Sequence, residues 1–157
     1  MSVLLIGFGN PGRRDDGLGP RLAQAVEEAG VVGLDVDSDY QLTVEDAEAV
    51  SRYDMVVFAD ASFNGPAPYE FRSIEAGGAP GFSSHSVEPE EVLMLAKTLF
   101  GKTPRGYVLG IRGYEFNEFG EGLSGKAEEN LKAAVEFVKG LRKEHGDEAG
   151  KTPGSLC

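Results

Sequence analysis

Three side chains far apart in the chain could do chemistry together: Asp16, Asp60 and His85. Asp16 follows a second acid, Asp15, in the run Gly9-Asn10-Pro11-Gly12-Arg13-Arg14-Asp15-Asp16-Gly17-Leu18-Gly19. Adjacent acids by themselves are usually no more than a solvated loop. Asp60 changes the balance. It ends the apolar run Met55-Val56-Val57-Phe58-Ala59, and a carboxylate at the end of a buried strand is costly unless it is paired or metal-bound. His85 stands in Ser83-Ser84-His85-Ser86, just ahead of Pro89, whereas the other histidine, His145, lies in a polar stretch. Two carboxylates and an imidazole make an oxygen and nitrogen set for a divalent ion with open positions; nickel, zinc, iron or manganese would each suit it. No H-E-x-x-H and no G-x-S-x-G is present, and Cys157, on a polar tail, is a poor nucleophile. Hydrolysis by this chain would use a bound metal or a carboxylate-activated water.

The same first loop offers a competing chemistry. Gly7-Phe8-Gly9-Asn10-Pro11-Gly12 matches G-x-G-x-x-G, and Asp35 and Asp37 follow about 20 residues on, as in a dinucleotide fold. That fingerprint needs a helix starting inside the motif, so that backbone N–H groups meet the pyrophosphate. Pro11 removes one such donor, Gly17 and Gly19 interrupt a helix before Pro20, and Asp15 and Asp16 put negative charge beside a pyrophosphate. A helix start near Gly9 would favour a nucleotide enzyme of flavodoxin-like shape. A start near Gly19 would favour hydrolysis.

The elements that must position these residues follow from pattern. Residues 3–6 read as a strand buried on both faces, and 7–19 as a glycine-rich loop. Pro20 opens a helix that Gly30 can end, and 31–36 reads as a second strand. Thr43 caps a short helix through 51, with Asp46 placed as in a capping box. Residues 55–59 form a third strand ending in Asp60, 61–68 a turn-rich loop, 69–74 a half-exposed strand and 76–86 a long loop. Pro89 opens a helix to about 99, 107–111 is a last strand, and Ser124 caps a long final helix. Alternating strands and helices predict a three-layer α/β/α domain with a mostly parallel sheet. The carboxyl ends of such strands form the ligand crevice where strand order reverses, so Asp16, Asp60 and His85 could meet there.

Composition narrows the functions. The 157 residues suit one domain, here 1–143, with 144–157 as a polar tail. A net charge of -11 repels nucleic acid and anionic lipid and suits a cationic partner or metal ion. One cysteine forms no internal disulfide, so a reducing compartment fits. No stretch approaches the roughly 20 apolar residues of a membrane span, so the expectation is a cytoplasmic protein, with nothing demanding more than a monomer.

These residues resemble the hydrogenase maturation proteases. The resemblance rests on Gly9-Asn10 with Asp15-Asp16-Gly17-x-Gly19, on Val-Val-Phe-Ala-Asp60-Ala61 and on Ser84-His85. Gln41-Leu42, Gly110 and Gly122-Leu123-Ser124 also fit, over roughly residues 3–140. The family implies a five-stranded sheet with one antiparallel edge strand, in a phosphorylase/hydrolase-like sandwich. It implies an endopeptidase that recognises nickel already loaded into a [NiFe]-hydrogenase large-subunit precursor and removes the C-terminal extension. Its three metal-contacting positions fall on Asp16, Asp60 and His85, which would also be the catalytic set; zinc or cadmium could occupy the site in vitro. No such role carries onto Asp15. Loops 64–82 and 114–122 are expected, by position, to select the precursor. The competing class is a nickel-binding chaperone or sensor that keeps the ligands without hydrolysis.

Overall fold

The structure, a computed structural model, describes residues 1–77 and 87–149, with the stretch 142–149 as backbone alone. Five strands, four α-helices and one 3-10 turn follow in the order β1 (Val3–Phe8), the turn Arg14–Gly17, α1 (Leu18–Ala29), β2 (Leu34–Asp39), α2 (Glu45–Val50), β3 (Met55–Ser62), β4 (Tyr69–Ile74), α3 (Pro89–Phe100), β5 (Arg105–Arg112) and α4 (Gly125–Ala149). The sheet order is β2-β1-β3-β5-β4. The first four strands run parallel, and β4 pairs antiparallel to β5 as an edge.

The unbroken apolar runs of β1 and β3 are explained by two cores. Val3 and Leu5 of β1, with Met55, Val57 and Ala59 of β3, face α1 and α4. Leu4 and Ile6, with Val56 and Phe58, face α2 and α3. Each central strand is therefore buried on both sides, and the chain is a three-layer sandwich.

Several boundaries differ from the sequence pattern for local reasons. Helix α1 begins at Leu18, so Pro20 is its third residue; the first helical N–H groups have no intrahelical acceptor, and a proline there costs nothing. Gly30 closes the helix in the left-handed conformation, as its position suggested. The second strand starts at Leu34 rather than 31, because Gly33 turns the chain with φ 81 and register with β1 begins at the pair Val3 and Leu34. Thr43 stands one residue outside the α2 cap, yet its N–H donates to Asp46 Oδ2 at 2.9 Å, one half of the expected capping box. Helix α3 does open on Pro89, with a complete capping box between Glu88 and Glu91. Strand β3 runs past Asp60 to Ser62, since β5 pairs with it to the end, Asp60 opposite Gly110 and Ser62 opposite Arg112.

The turn that carries Asp16 is pressed onto the sheet through Gly19. A Cβ there would sit 2.6 Å from the Ala59 carbonyl oxygen and collide with that of Phe8. Gly19→Ala should therefore push α1 off β1 and β3 and cost about 2–3 kcal/mol, read as a lower urea midpoint. An unchanged midpoint would mean the helix is free to shift.

Candidate functional site

Strand order reverses between β1 and β3: the chain leaves β1 for β2 on one side and returns as β3 on the other. Asp16 lies in the turn after β1, and Asp60 near the carboxyl end of β3, so both flank that switch point. Asp60 shares the strand face of Val56 and Phe58, the side covered by α2 and α3. Glu88, the N-cap of α3, contributes to the field there.

Each carboxylate is oriented by backbone. Asp16 Oδ2 accepts the Asn10 N–H at 2.9 Å, and Asp60 Oδ1 accepts the Ala61 N–H at 2.7 Å. Asn10 is the hub of the loop. Its Oδ1 accepts the Gly12 N–H at 2.8 Å, an Asx turn, and its Nδ2 donates to the Tyr40 hydroxyl at 2.8 Å. The motif alone assigns Asn10 no task, although Asn-Pro-Gly is a turn signal that points to this one.

No cation balances the pair: among the described residues the ion pairs involve neither Asp16 nor Asp60. Burial pushes the Asp60 carboxyl up to about 7; the Ala61 N–H opposes this, and the negative fields of Asp16 and Glu88 add to it. Two carboxylates that feel each other's charge, with no ion-pair partner among the described residues, suit a bound cation.

His85 lies outside the described residues, so its expected place at the crevice stays a matter of sequence. It is three residues ahead of Glu88 in the chain.

Asp15 faces the other way and is fully buried. It accepts four hydrogen bonds: from the N–H groups of Tyr114 at 2.7 Å, Glu115 at 2.9 Å and Ser124 at 2.8 Å, and from the Ser124 hydroxyl at 2.7 Å. Burial alone would raise its pKa, but the bonds from Ser124, Glu115 and Tyr114 together hold it below the usual carboxylate range. Ser124 Oγ also accepts the Ala127 N–H at 3.3 Å, the expected cap of α4. Neighbouring acids thus have opposite roles, one as anchor and one as ligand candidate.

Around this anchor the loop 113–122 is laced to the loop 9–17. Asp15 N–H donates to Glu115 O at 2.9 Å, Arg14 N–H to Gly120 O at 2.9 Å, and Gly120 N–H to Gly12 O at 2.7 Å. Arg14 adopts φ 49 to do so, a conformation that few side chains take without cost.

A further acidic group closes the end of β2. Carboxylate oxygens of Asp37, Asp39 and Asp46 lie within 4.8 Å of one another, close enough to hold a metal ion. Burial, a hydrogen bond shared with Asp46 and the fields of Asp46, Asp37 and Glu45 push Asp39 up to about 6. A cavity of about 720 Å³ lies at the opposite end of the sheet, lined by Ile74, Leu93, Lys97 and Arg105, away from Asp16 and Asp60.

The first loop does not hold a dinucleotide in the manner its letters suggest. The helix begins at Leu18, beyond the motif, and Gly9 (φ 144) accommodates the Asp16 carbonyl in place of a phosphate. Fold and site together define an α/β/α sandwich with two carboxylates, Asp16 and Asp60, at the carboxyl ends of its central strands.

Known proteins share this fold. The chain is 29% identical over 146 residues to the hydrogenase expression/formation protein HupD of Thiocapsa roseopersicina, covering 87% of this chain and 65% of that protein. The chain thus spans just under two thirds of the length of that curated relative. Its structure resembles the hydrogenase maturating endopeptidase HybD of E. coli (TM-score 0.72, 22% identity, 93% of this chain and 94% of the other). It also resembles the [NiFe] hydrogenase maturation protease HycI of Thermococcus kodakarensis (TM-score 0.68, 20% identity, 90% and 92%). At these identities the likeness is one of fold. No protein-family model matches. These likenesses show that the chain shares the fold of hydrogenase maturation endopeptidases.

Proposed function

We propose that this protein is an endopeptidase that removes the C-terminal extension of a nickel-loaded [NiFe]-hydrogenase large-subunit precursor. The observation that carries the reading is the pair Asp16 and Asp60 at the strand switch point, with no ion-pair partner among the described residues. Nickel here belongs to the substrate, and would supply Lewis acidity and a docking point. Asp16, held by the Asn10 N–H, offers a fixed oxygen. Asp60, with a pKa near neutrality, can serve as ligand when ionised or exchange a proton with water. His85 would complete the set. Holding the metal end of the substrate in the crevice places the scissile bond beside these groups, so proximity supplies much of the rate. Without the substrate's metal that contact is missing, which would limit the enzyme to one cut in one protein.

The same reading assigns the peptidase domain to 1–143 and the polar tail to 144–157, whose first turns continue α4 to Ala149. It makes the protein a cytoplasmic monomer with a single protein substrate. Among the described residues no helix is long and apolar enough to cross a membrane.

Incubation with nickel-loaded precursor should shorten it by one fragment, seen by mass spectrometry. Nickel-free precursor should stay intact, and His85→Ala should leave both intact. Binding of the loaded precursor without any released fragment would favour the chaperone class. Full processing by His85→Ala would remove the histidine from the mechanism.

A further inference from the structure

Among the described residues eight large apolar side chains are exposed, and five of them, Tyr40, Val44, Phe63, Tyr114 and Phe119, sit in loops after β2, β3 and β5. These loops surround the carboxyl ends of the strands, where Asp16 and Asp60 lie. Single exposed apolar groups are ordinary, but a concentration around one crevice marks an interaction surface.

The part nearest Asp16 is prebuilt. Loop 113–122 is fastened to the Asp16 turn through the buried Asp15 and through the paired backbone of Arg14 and Gly120. On that support Phe119 is 78% exposed, and the Arg13 guanidinium lies 4.9 Å from its ring centroid. Phe63 meets Phe116 edge-on at 5.8 Å beside it. The neighbouring cations are engaged: Arg14 with Glu115 at 3.4 Å, Arg112 with the Gly65 carbonyl at 2.8 Å, and Lys126 over Tyr114. Among the described residues Arg13 makes no side-chain hydrogen bond or ion pair, so its donors face outward beside an aromatic surface.

We propose that Arg13 and Phe119 form a subsite for the precursor's C-terminal extension, taking an apolar side chain on the Phe119 ring and an adjacent side-chain carboxylate on the Arg13 guanidinium. The inference rests on the peptidase reading. The metal end of the substrate would sit at the carboxyl ends of β1 and β3, and Arg13, whose carbonyl accepts the Asp16 N–H at 3.0 Å, stands within reach of the segment that leaves it. Local charge, not net charge, selects that occupant. On a chain of net charge -11 an acidic segment is repelled in most places, and Arg13 supplies a local partner. The acids of the same loop, Glu115, Glu118 and Glu121, allow one carboxylate at one register and oppose a run of them.

The test uses the full-length enzyme and nickel-loaded precursor, with Arg13→Gln and Phe119→Ser. Each variant should raise KM by about 10-fold or more, the loss of one charge-assisted bond or one ring contact. The kcat, the thermal midpoint and zinc affinity should stay at wild-type values. A precursor whose tail acids are changed to amides should show the same KM rise with the wild type, and Arg13→Gln should add nothing further. Unchanged KM in both variants, or an Arg13→Gln effect that persists in full on the amide tail, overturns the subsite. If the wild type cleaves while the variants cleave equally well, only the subsite falls. If the wild type releases no fragment, the peptidase reading falls and takes the subsite with it.

Discussion

Replacing Asp60 by asparagine is expected to abolish release of the precursor's tail and, at pH 8, to make the metal-free protein more stable. Both effects have one origin. The half-buried Asp60 carboxyl has its pKa pushed up to about 7, first by burial and then by the fields of Asp16 and Glu88. In an unfolded chain the same group titrates at 3.8. Between those values the folded protein holds a proton that the unfolded chain has given up, so stability falls as pH rises through this window. Above pH 7 the full penalty is present, at most about 4 kcal/mol and less where water relaxes the site. Asparagine carries no charge, so Asp60→Asn should gain about 2–4 kcal/mol at pH 8 and nothing at pH 4. Thermal melts at the two pH values, without metal, measure this. Equal melting points at pH 8 would mean that Asp60 is not strained by its surroundings. The functional half follows from the ionised form: only the carboxylate binds a cation well, so affinity for zinc or nickel should fall as pH drops below 7 and should be weak in the variant at every pH.

Asp15→Asn should act in the opposite direction, costing about 3–5 kcal/mol, because it puts an amide N–H2 among four donors that need an acceptor. The wild-type contribution has the sign of a depressed carboxylate. It is fully present above the ordinary value of 3.8 and is lost as pH falls through the lower folded value. Urea titrations should therefore separate wild type and variant by a constant amount between pH 5 and 8, with the gap closing below pH 4. A variant as stable as wild type at pH 7 would show that the loop 113–122 is held by other means. Comparing the two substitutions separates two kinds of acid: removing the anchor Asp15 destabilises the fold, and removing the strained charge at Asp60 stabilises it.

Much of the frame was readable from the amino-acid order because it depends on local rules. Val3 to Ile6 and Met55 to Ala59 are continuous apolar runs, and only a strand covered on both faces makes sense of them. Gly30, Pro89 and Ser124 sit where helix ends require them. What could not be read depends on contacts between distant segments. Val31 and Val32 look like the start of a strand, but register with β1 places that start at Leu34. Asp60 was expected at the end of its strand, and pairing with β5 carries the strand two residues beyond it. Asp15 and Asp16 are alike as letters, and resemblance alone singled out Asp16; the anchoring role of Asp15 depends on the arrival of Tyr114, Glu115 and Ser124 from the far end of the chain. The field of Glu88 at Asp60 follows from where α3 is seated, which no local pattern states.

A single peptide unit joins a residue locked into the interior to a half-buried one whose carboxylate is held by the Asn10 N–H. Asp15 and Asp16 cannot trade places, and no residue can be inserted between them without either drawing the anchor out of its socket or swinging the outer acid away from Asp60. The tandem therefore works as a gauge: it fixes how far the outer oxygen projects, to the tolerance of a packed interior rather than that of a surface loop. A chain could keep every glycine of the motif and still lose this calibration by a shift of one position.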